Sequence, residues 1–320
     1  MNPPFFWRHR ALPFIPLLLS PIGWLVGRET ARRLARPGYL APVPVICCGN
    51  ATAGGAGKTT LALDIGRRLI ARGVAVHFIT RGYGGQIRAT TRVDPAHHCS
   101  ADVGDEPLLL AALAPTWVGA DRAASARAAV AVGAQALVMD DGLQNPTLAK
   151  TLSLLVVDGG TGFGNGFLIP AGPLRERVRD AEKRCAAAVL IGQDATDAAE
   201  QLTIPILRAR LRPLSGEALA GRRVLGFAGI GFPGKFADSL IEAGADLASF
   251  RVFPDHHQYR ETDLASLRAE AAQLGATLAT TAKDAARLTQ DQRRDIIVLD
   301  VRLDWDDPAA LDRLLDAAFS

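Results

Sequence analysis

Residues 49–60 read GNATAGGAGKTT, and the fold turns on whether this stretch is a phosphate-binding loop. Such a loop follows G-x-x-x-x-G-K-[ST], and counting back from Gly57, Lys58 and Thr59 puts Thr52 where the first glycine stands. That glycine begins a turn. A small β-branched residue can replace it at a strand's end if its dihedrals stay in the β region, while Gly54, Gly55 and Gly57 still allow close backbone approach. The phosphate cradle is then Thr52, Ala53, Gly54, Gly55, Ala56, Gly57, Lys58, Thr59 and Thr60, closed by the N-terminus of the next helix. Lys58, a solvated loop lysine, would reach the outer phosphates, and the Thr59 hydroxyl would ligate Mg²⁺. A ligand-free glycine turn is the alternative, and the order strand, loop, G-K-T, helix weighs against it.

Outward from the loop, VPVICCGN is an apolar run that reads as a strand, and KTTLALDIGRRLIARG sets Leu61, Ile65, Leu69 and Ile70 on one helical face before stopping at Gly73. The alternation continues with VAVHFIT, TWVGA, AQALVMDDG and TLSLLVVD as strands, interleaved with helices at DEPLLLAALA and DRAASARAAVAVG. This is an α/β fold, a P-loop NTPase-like parallel sheet flanked by helices. Beyond the long glycine-rich loop Gly159–Glu176, the runs AAAVLIG, IPILRARL, RRVLGFAGIG, ASFRVF and RDIIVLDVRL read as further strands with helices between them. The expected division is an N-terminal membrane-contacting segment over 1–40, a P-loop core over 41–205, and a smaller α/β domain over 206–320.

The N-terminal segment carries an apolar stretch from Ala11 to Val26 between Arg8, His9, Arg10 and Arg28, Arg32, Arg33, Arg36. Pro13, Pro16 and Pro21 interrupt helical hydrogen bonding, and the stretch falls short of the ~20 residues of a spanning helix. It therefore reads as lying in a membrane interface, with Trp7 and Trp24 in the headgroup layer and the arginines on anionic lipid. Helices packed on the main domain are the alternative. The formal net charge of +3 gives no nucleic-acid footprint. Cys47, Cys48, Cys99 and Cys185 have no C-x-x-C spacing and suit reduced thiols, with Cys47 and Cys48 pointing to opposite faces of one strand as core filler.

Asp140 and Asp141 end a buried strand and can orient Mg²⁺ if the strand order brings them beside the loop; otherwise Asp-Asp-Gly is a turn. Asp105 and Glu106 open a helix that should follow the strand beside the phosphate loop, where capping alone would also explain them. In FPDHHQY, His256 suits a general-base or orienting role better than a metal site. Arg81 and Arg175 can bind anionic groups bidentately.

Taken together, GNATAGGAGKT, RGYGG, GDEP, DDGLQN, VVDGGTGFGNGFLIPAGPLRE and FPDHHQY, in that order over nearly the whole chain, resemble the tetraacyldisaccharide 4′-kinase (lipid A 4′-kinase) family. The resemblance implies that threonine at the first loop position is normal. It implies ATP and Mg²⁺ as cofactors and a lipid-linked glucosamine disaccharide 1-phosphate as acceptor, phosphorylated on its 4′-hydroxyl to give lipid IVA at the cytoplasmic face of the bacterial inner membrane. It further implies that Asp105 is the catalytic carboxylate, assisted by His256 and joined by Lys58; that Thr59, Glu106, Asp140, Asp141 and Glu176 surround the metal; and that Gln144 and Arg175 lie in the active site. Asn145 stands where the family commonly has histidine. A monomer is expected. The rival from another class is a GTPase-like switch or metallochaperone on the same loop, and no guanine-reading N/T-K-x-D string stands at a suitable position.

Overall fold

The computed structural model describes residues 4–9, 14–214 and 216–320. Among the described residues thirteen strands run in chain order. The first eight are β1 (Val45–Gly49), β2 (Val76–Thr80), β3 (Thr91–Arg92), β4 (Thr116–Val118), β5 (Ala136–Asp140), β6 (Leu152–Asp158), β7 (Ala187–Ile191) and β8 (Ile206–Pro213). Then come β9 (Arg223–Ala228), β10 (Asp246–Val252), β11 (Thr277–Thr281), β12 (Ile296–Leu299) and β13 (Val301–Trp305). Nine of them form one sheet in the order β13-β8-β7-β6-β1-β5-β2-β4-β3. Only its outermost pairs, β13 with β8 and β3 with β4, are antiparallel.

Every residue of β1, β5, β6 and β7 is buried, as expected of central parallel strands covered on both faces. On one face Cys48 and Val138 pack with Leu61, Ile65 and Leu69 of the helix Lys58–Ala71 and with Leu311 and Leu315 of the C-terminal helix. On the other, Cys47 and Met139 pack with Ala126 and Ala129 of the helix Arg122–Ala131. The two cysteines are core filler on opposite faces, and burial pushes the Cys47 thiol up to about 12. Each of Leu61, Ile65 and Leu69 contributes about 1.5–3 kcal/mol of burial. Ile70, expected on the same face, is exposed.

The four-stranded sheet is all parallel, ordered β10-β9-β11-β12, with its own core around Leu225, Phe227, Leu264 and Leu278. The run expected as one strand, RDIIVLDVRL, is two: β12 ends the small sheet, and β13, separated from it by Asp300 alone, pairs with β8 at the edge of the large one. The small sheet is thus inserted between β8 and β13. The expected division at 205/206 runs between β7 and β8, which are hydrogen-bonded neighbours.

The helix Phe14–Leu34 runs through both Pro16 and Pro21, where interruption was expected. Pro16 stands in the first turn, whose N–H groups have no partner in any helix. Pro21 deprives the Leu17 carbonyl of its usual donor, and the Ser20 hydroxyl donates to that carbonyl at 2.8 Å instead. One face docks on the glycine-rich loop, where a Cβ on Gly27 would lie 2.6 Å from Leu168 Cδ1. Trp7 Nε1 donates to Pro170 O at 3.0 Å, and Asn165 Nδ2 donates to Phe6 O at 2.7 Å, fixing the residues ahead of the helix to the same loop. Phe14, Leu17, Leu18, Ile22, Trp24 and Leu25 are exposed. Arg10 and residues 11–13 of the apolar stretch, like residues 1–3, lie outside the described residues. Among the described residues no helix is long and apolar enough to cross a membrane.

Candidate active site

Thr52 is held extended. It forms an antiparallel bridge with Leu174, flanked by hydrogen bonds from Ala53 N to Pro173 O and from Arg175 N to Ala51 O, both 2.7 Å. The buried Asn50 amide donates to Thr52 Oγ1 at 3.1 Å. Positive φ falls instead on Gly54 (116°) and Gly57 (86°), where a side chain would be strained. The glycine-rich loop thus supplies the strand partner that makes a first glycine unnecessary. Ala56 packs into the core, and a Cβ on Gly57 would lie 2.7 Å from Ile191 Cδ1. Lys58 is not solvated: it is 9% exposed, with Nζ 3.3 Å from Gly54 O and 3.8 Å from Asp141 Oδ1.

β5 pairs directly with β1, aligning Asp140 with Cys48, so the acidic pair stands beside the loop. Thr59 Oγ1 donates to Asp140 Oδ2 at 2.8 Å, while Asp140 Oδ1 is buried without a partner among the described residues. Burial, reinforced by Asp141 and opposed by Lys58, pushes Asp140 up to about 7. Asp141 is half-buried, and loss of solvent raises it, yet Lys58 and Arg175 outweigh that and hold it below the usual carboxylate range; Arg175 Nη1 donates to its Oδ1 at 2.8 Å.

Asp105 opens the helix Asp105–Ala111, and this helix follows β2 and β3, which lie beyond β5 rather than beside β1 as expected. Asp105 is 2% exposed. Its Oδ2 lies 2.8 Å from His256 Nδ1 and accepts from Arg287 Nε and Nη2 at 2.8 and 2.6 Å. Burial raises the Asp105 carboxyl, but the bonds from His256 and Arg287 outweigh it and hold the group below its usual range. The expected approach of His256 to Asp105 on substrate-driven closure is already made here. Glu106 is paired with Lys283 at 2.6 Å, its Oε2 is buried with no partner among the described residues, and its charge reaches Asp140.

Gln144 Nε2 donates to Asn50 O at 2.8 Å and to Glu176 Oε1 at 2.9 Å, tying the DDGLQN turn to the loop. Glu176, expected near a metal, accepts from Arg184 Nη2 on both oxygens, at 2.7 and 2.6 Å. With both oxygens taken, it braces Gln144. Asn145 caps its own turn, its Oδ1 accepting from Thr147 N and Oγ1 at 3.0 and 2.9 Å. Arg81 is exposed, and its charge adds to burial in lowering the neighbouring Arg122 to about 10. Arg122, buried behind the ordinary helix start DRAAS, leaves Nε without a partner among the described residues and was not singled out in the sequence; nor were Lys283 and Arg287.

The unpartnered oxygens of Asp140 and Glu106, with the Thr59 hydroxyl, are hard donors that fit a hydrated Mg²⁺, which is held by one or two carboxylates and completed by water and phosphate. Among the described residues there is no cluster of three or more ligating side chains that would make a closed protein cage.

The family model for tetraacyldisaccharide-1-P 4′-kinase matches residues 15–320. The chain is 54% identical to the tetraacyldisaccharide 4′-kinase of Gluconacetobacter diazotrophicus, across 99% of this chain and 98% of that one. It is 48% identical to the enzyme of the same name from Gluconobacter oxydans, across 100% and 98%. The crystal structure of LpxK from Aquifex aeolicus in complex with ATP superposes with a TM-score of 0.76, covering 96% of this chain and 100% of that one, at 24% identity.

Proposed function

The chain belongs to the tetraacyldisaccharide 4′-kinase family, and from that premise we propose that it transfers the γ-phosphate of ATP to the 4′-hydroxyl of a tetraacyldisaccharide 1-phosphate, giving lipid IVA and ADP. The observation that carries the reading is the 54% identity to a curated kinase of this name over 99% of the chain. The site supports it. Backbone N–H groups from Gly54 to Thr59 and the helix start at Lys58 receive the phosphates, and the Lys58 ammonium neutralises charge on the group in flight. Asp140, Glu106 and Thr59 would hold Mg²⁺, which when bound neutralises phosphate charge and orients the leaving oxygen. Asp105, backed by His256, accepts the hydroxyl proton as the sugar oxygen bonds to phosphorus and the bridge to ADP breaks. Arg81, Gln144 and Arg175 would serve the acceptor, with Arg122, whose charge is felt beside Arg81, adding to the positive field.

The same reading places the chain as a monomer on the cytoplasmic face of the inner membrane. The exposed apolar face of the helix Phe14–Leu34 dips into the interface, and Arg28, Arg32, Arg33 and Arg36 meet anionic lipid. Purified protein incubated with ATP, Mg²⁺ and dephosphorylated acceptor should yield a lipid one phosphate heavier, with the new group on the 4′-oxygen by fragmentation. ATP hydrolysis without any phosphorylated lipid would instead favour a switch-like NTPase.

A further inference from the structure

The reaction as proposed leaves Arg287 without a task. Its side chain has no exposed surface, and a guanidinium so buried is costly unless every donor is matched. Nε and Nη2 both donate to Asp105 Oδ2. Nη1 donates to Gly229 O and to Asp284 Oδ1, each at 2.8 Å. Asp284 is itself fixed: Gly229 N and the Tyr259 hydroxyl donate to Oδ1 at 2.9 and 2.8 Å, and Thr281 Oγ1 lies 2.7 Å from Oδ2. All these partners except Asp105 belong to the small-sheet half of the chain.

Two details give the arrangement a direction. The Gly229 carbonyl that accepts from Arg287 also accepts from the backbone N–H of His256, at 3.0 Å, so both partners of Asp105 hang from one atom. And all three side-chain contacts to Asp105 fall on Oδ2, leaving Oδ1 with no hydrogen bond among the described residues. We propose that Arg287 is a positioning residue for phosphoryl transfer: its planar fork grips Oδ2, turns Oδ1 of Asp105 toward the acceptor hydroxyl, and keeps the carboxylate and His256 in one frame set by the small sheet. Lysine cannot do this, because one ammonium cannot span Asp105, Asp284 and Gly229 in a plane. The proposal rests on the reading of Asp105 as the proton acceptor.

Steady-state kinetics of the full chain with ATP, Mg²⁺ and lipid acceptor, alongside thermal melting, test it through Arg287→Ala and Arg287→Lys. Misorienting a reacting group costs about 100-fold in rate, so kcat should fall by that order in both variants while KM for ATP is unchanged. Guanidinium at sub-denaturing concentration should return turnover to Arg287→Ala in a saturable way, and should do nothing for Arg287→Ala combined with Asp105→Ala. A folded Arg287→Ala with wild-type kcat overturns the proposal, as does one whose lost turnover guanidinium fails to restore although its melting and KM for ATP are those of the wild type. Should the alanine variant not fold, Arg287→Lys decides on kcat and KM alone, wild-type kcat being the overturning result. A wild-type protein that never phosphorylates the lipid would instead strike the reaction itself.

Discussion

Thr52 shows how one residue departs from a motif without loss of the loop it begins. The motif's first glycine is needed only where the chain must turn at that point, and here Leu174 and the Asn50 amide keep it extended. Thr52→Gly should therefore destabilise, by about 0.5–1 kcal/mol, because glycine adds freedom to the unfolded chain and removes the Asn50 bond. A denaturation midpoint equal to or above wild type would contradict this account. The Asp105–His256 contact is the other residue-scale test. Asp105→Ala should lower turnover by about 100-fold or more with ATP affinity little changed, and His256→Ala should act on the same step. Because the two share one hydrogen bond at 2.8 Å, the double variant should cost little more than the worse single one. Fully multiplicative losses would separate them. The loop and the acidic pair were legible in the sequence because each is a local string of distinctive residues, whereas the pairing of Asp105 with His256, 151 residues away, came only from the family resemblance. Arg287 was not legible, since TTAKDAARL carries no signal of an ion pair to Asp105, 182 residues away.

At the scale of elements, period and punctuation revealed the central strands and the helix after the loop, because burial on both faces leaves an unbroken apolar run. The same logic missed β3, two residues long, and β11, whose TLATT is no more apolar than a loop. It also overrated Ile70, one position past the buried Leu69 and already turned to solvent. Within that helix Gly66 is an interior glycine that propensity alone would replace, for a gain of about 1 kcal/mol with alanine. Packing decides otherwise, because a methyl group there would run into the ring of Phe78, itself fully buried in β2. Overpacking of this kind costs about 1–3 kcal/mol, so Gly66→Ala should lower the denaturation midpoint. An increase would mean that Phe78 can step aside, and that the helix lies less tightly on the sheet than the structure has it.

The whole molecule is one large sheet with a smaller one spliced into it, and that was the least legible level. Nothing in RDIIVLDVRL announces that its halves serve different sheets, because pairing partners lie far away in sequence and strand signals are local. The splice matters chemically. Asp105 belongs to the large-sheet half, while His256 and Arg287 belong to the small-sheet half, so the centre is complete only with both in place. Lys235, from the helix after β9, pairs with Asp158 at the end of β6 and adds a second tie between them. The N-terminal helix is tied into the same frame. It docks through Gly23 and Gly27 on Leu168, in the very loop that braces Thr52, while its other face offers Phe14, Leu17, Leu18, Ile22 and Leu25 to the outside. On the proposed membrane reading, burying a few such side chains, with about 1 kcal/mol from each arginine near an anionic surface, would give reversible attachment, weaker than that of a spanning helix. Binding to vesicles containing anionic lipid should therefore be tight at low salt and fall as salt screens the arginines, with Arg28, Arg32, Arg33 and Arg36 changed together to glutamine removing most of that salt dependence. Leu18→Asp, on a position 80% exposed, should weaken binding at every salt concentration without altering the melting temperature. Salt-independent retention on neutral and anionic vesicles alike would show that the arginines do not contribute, and attachment unaffected by Leu18→Asp would place the contact surface elsewhere on the molecule.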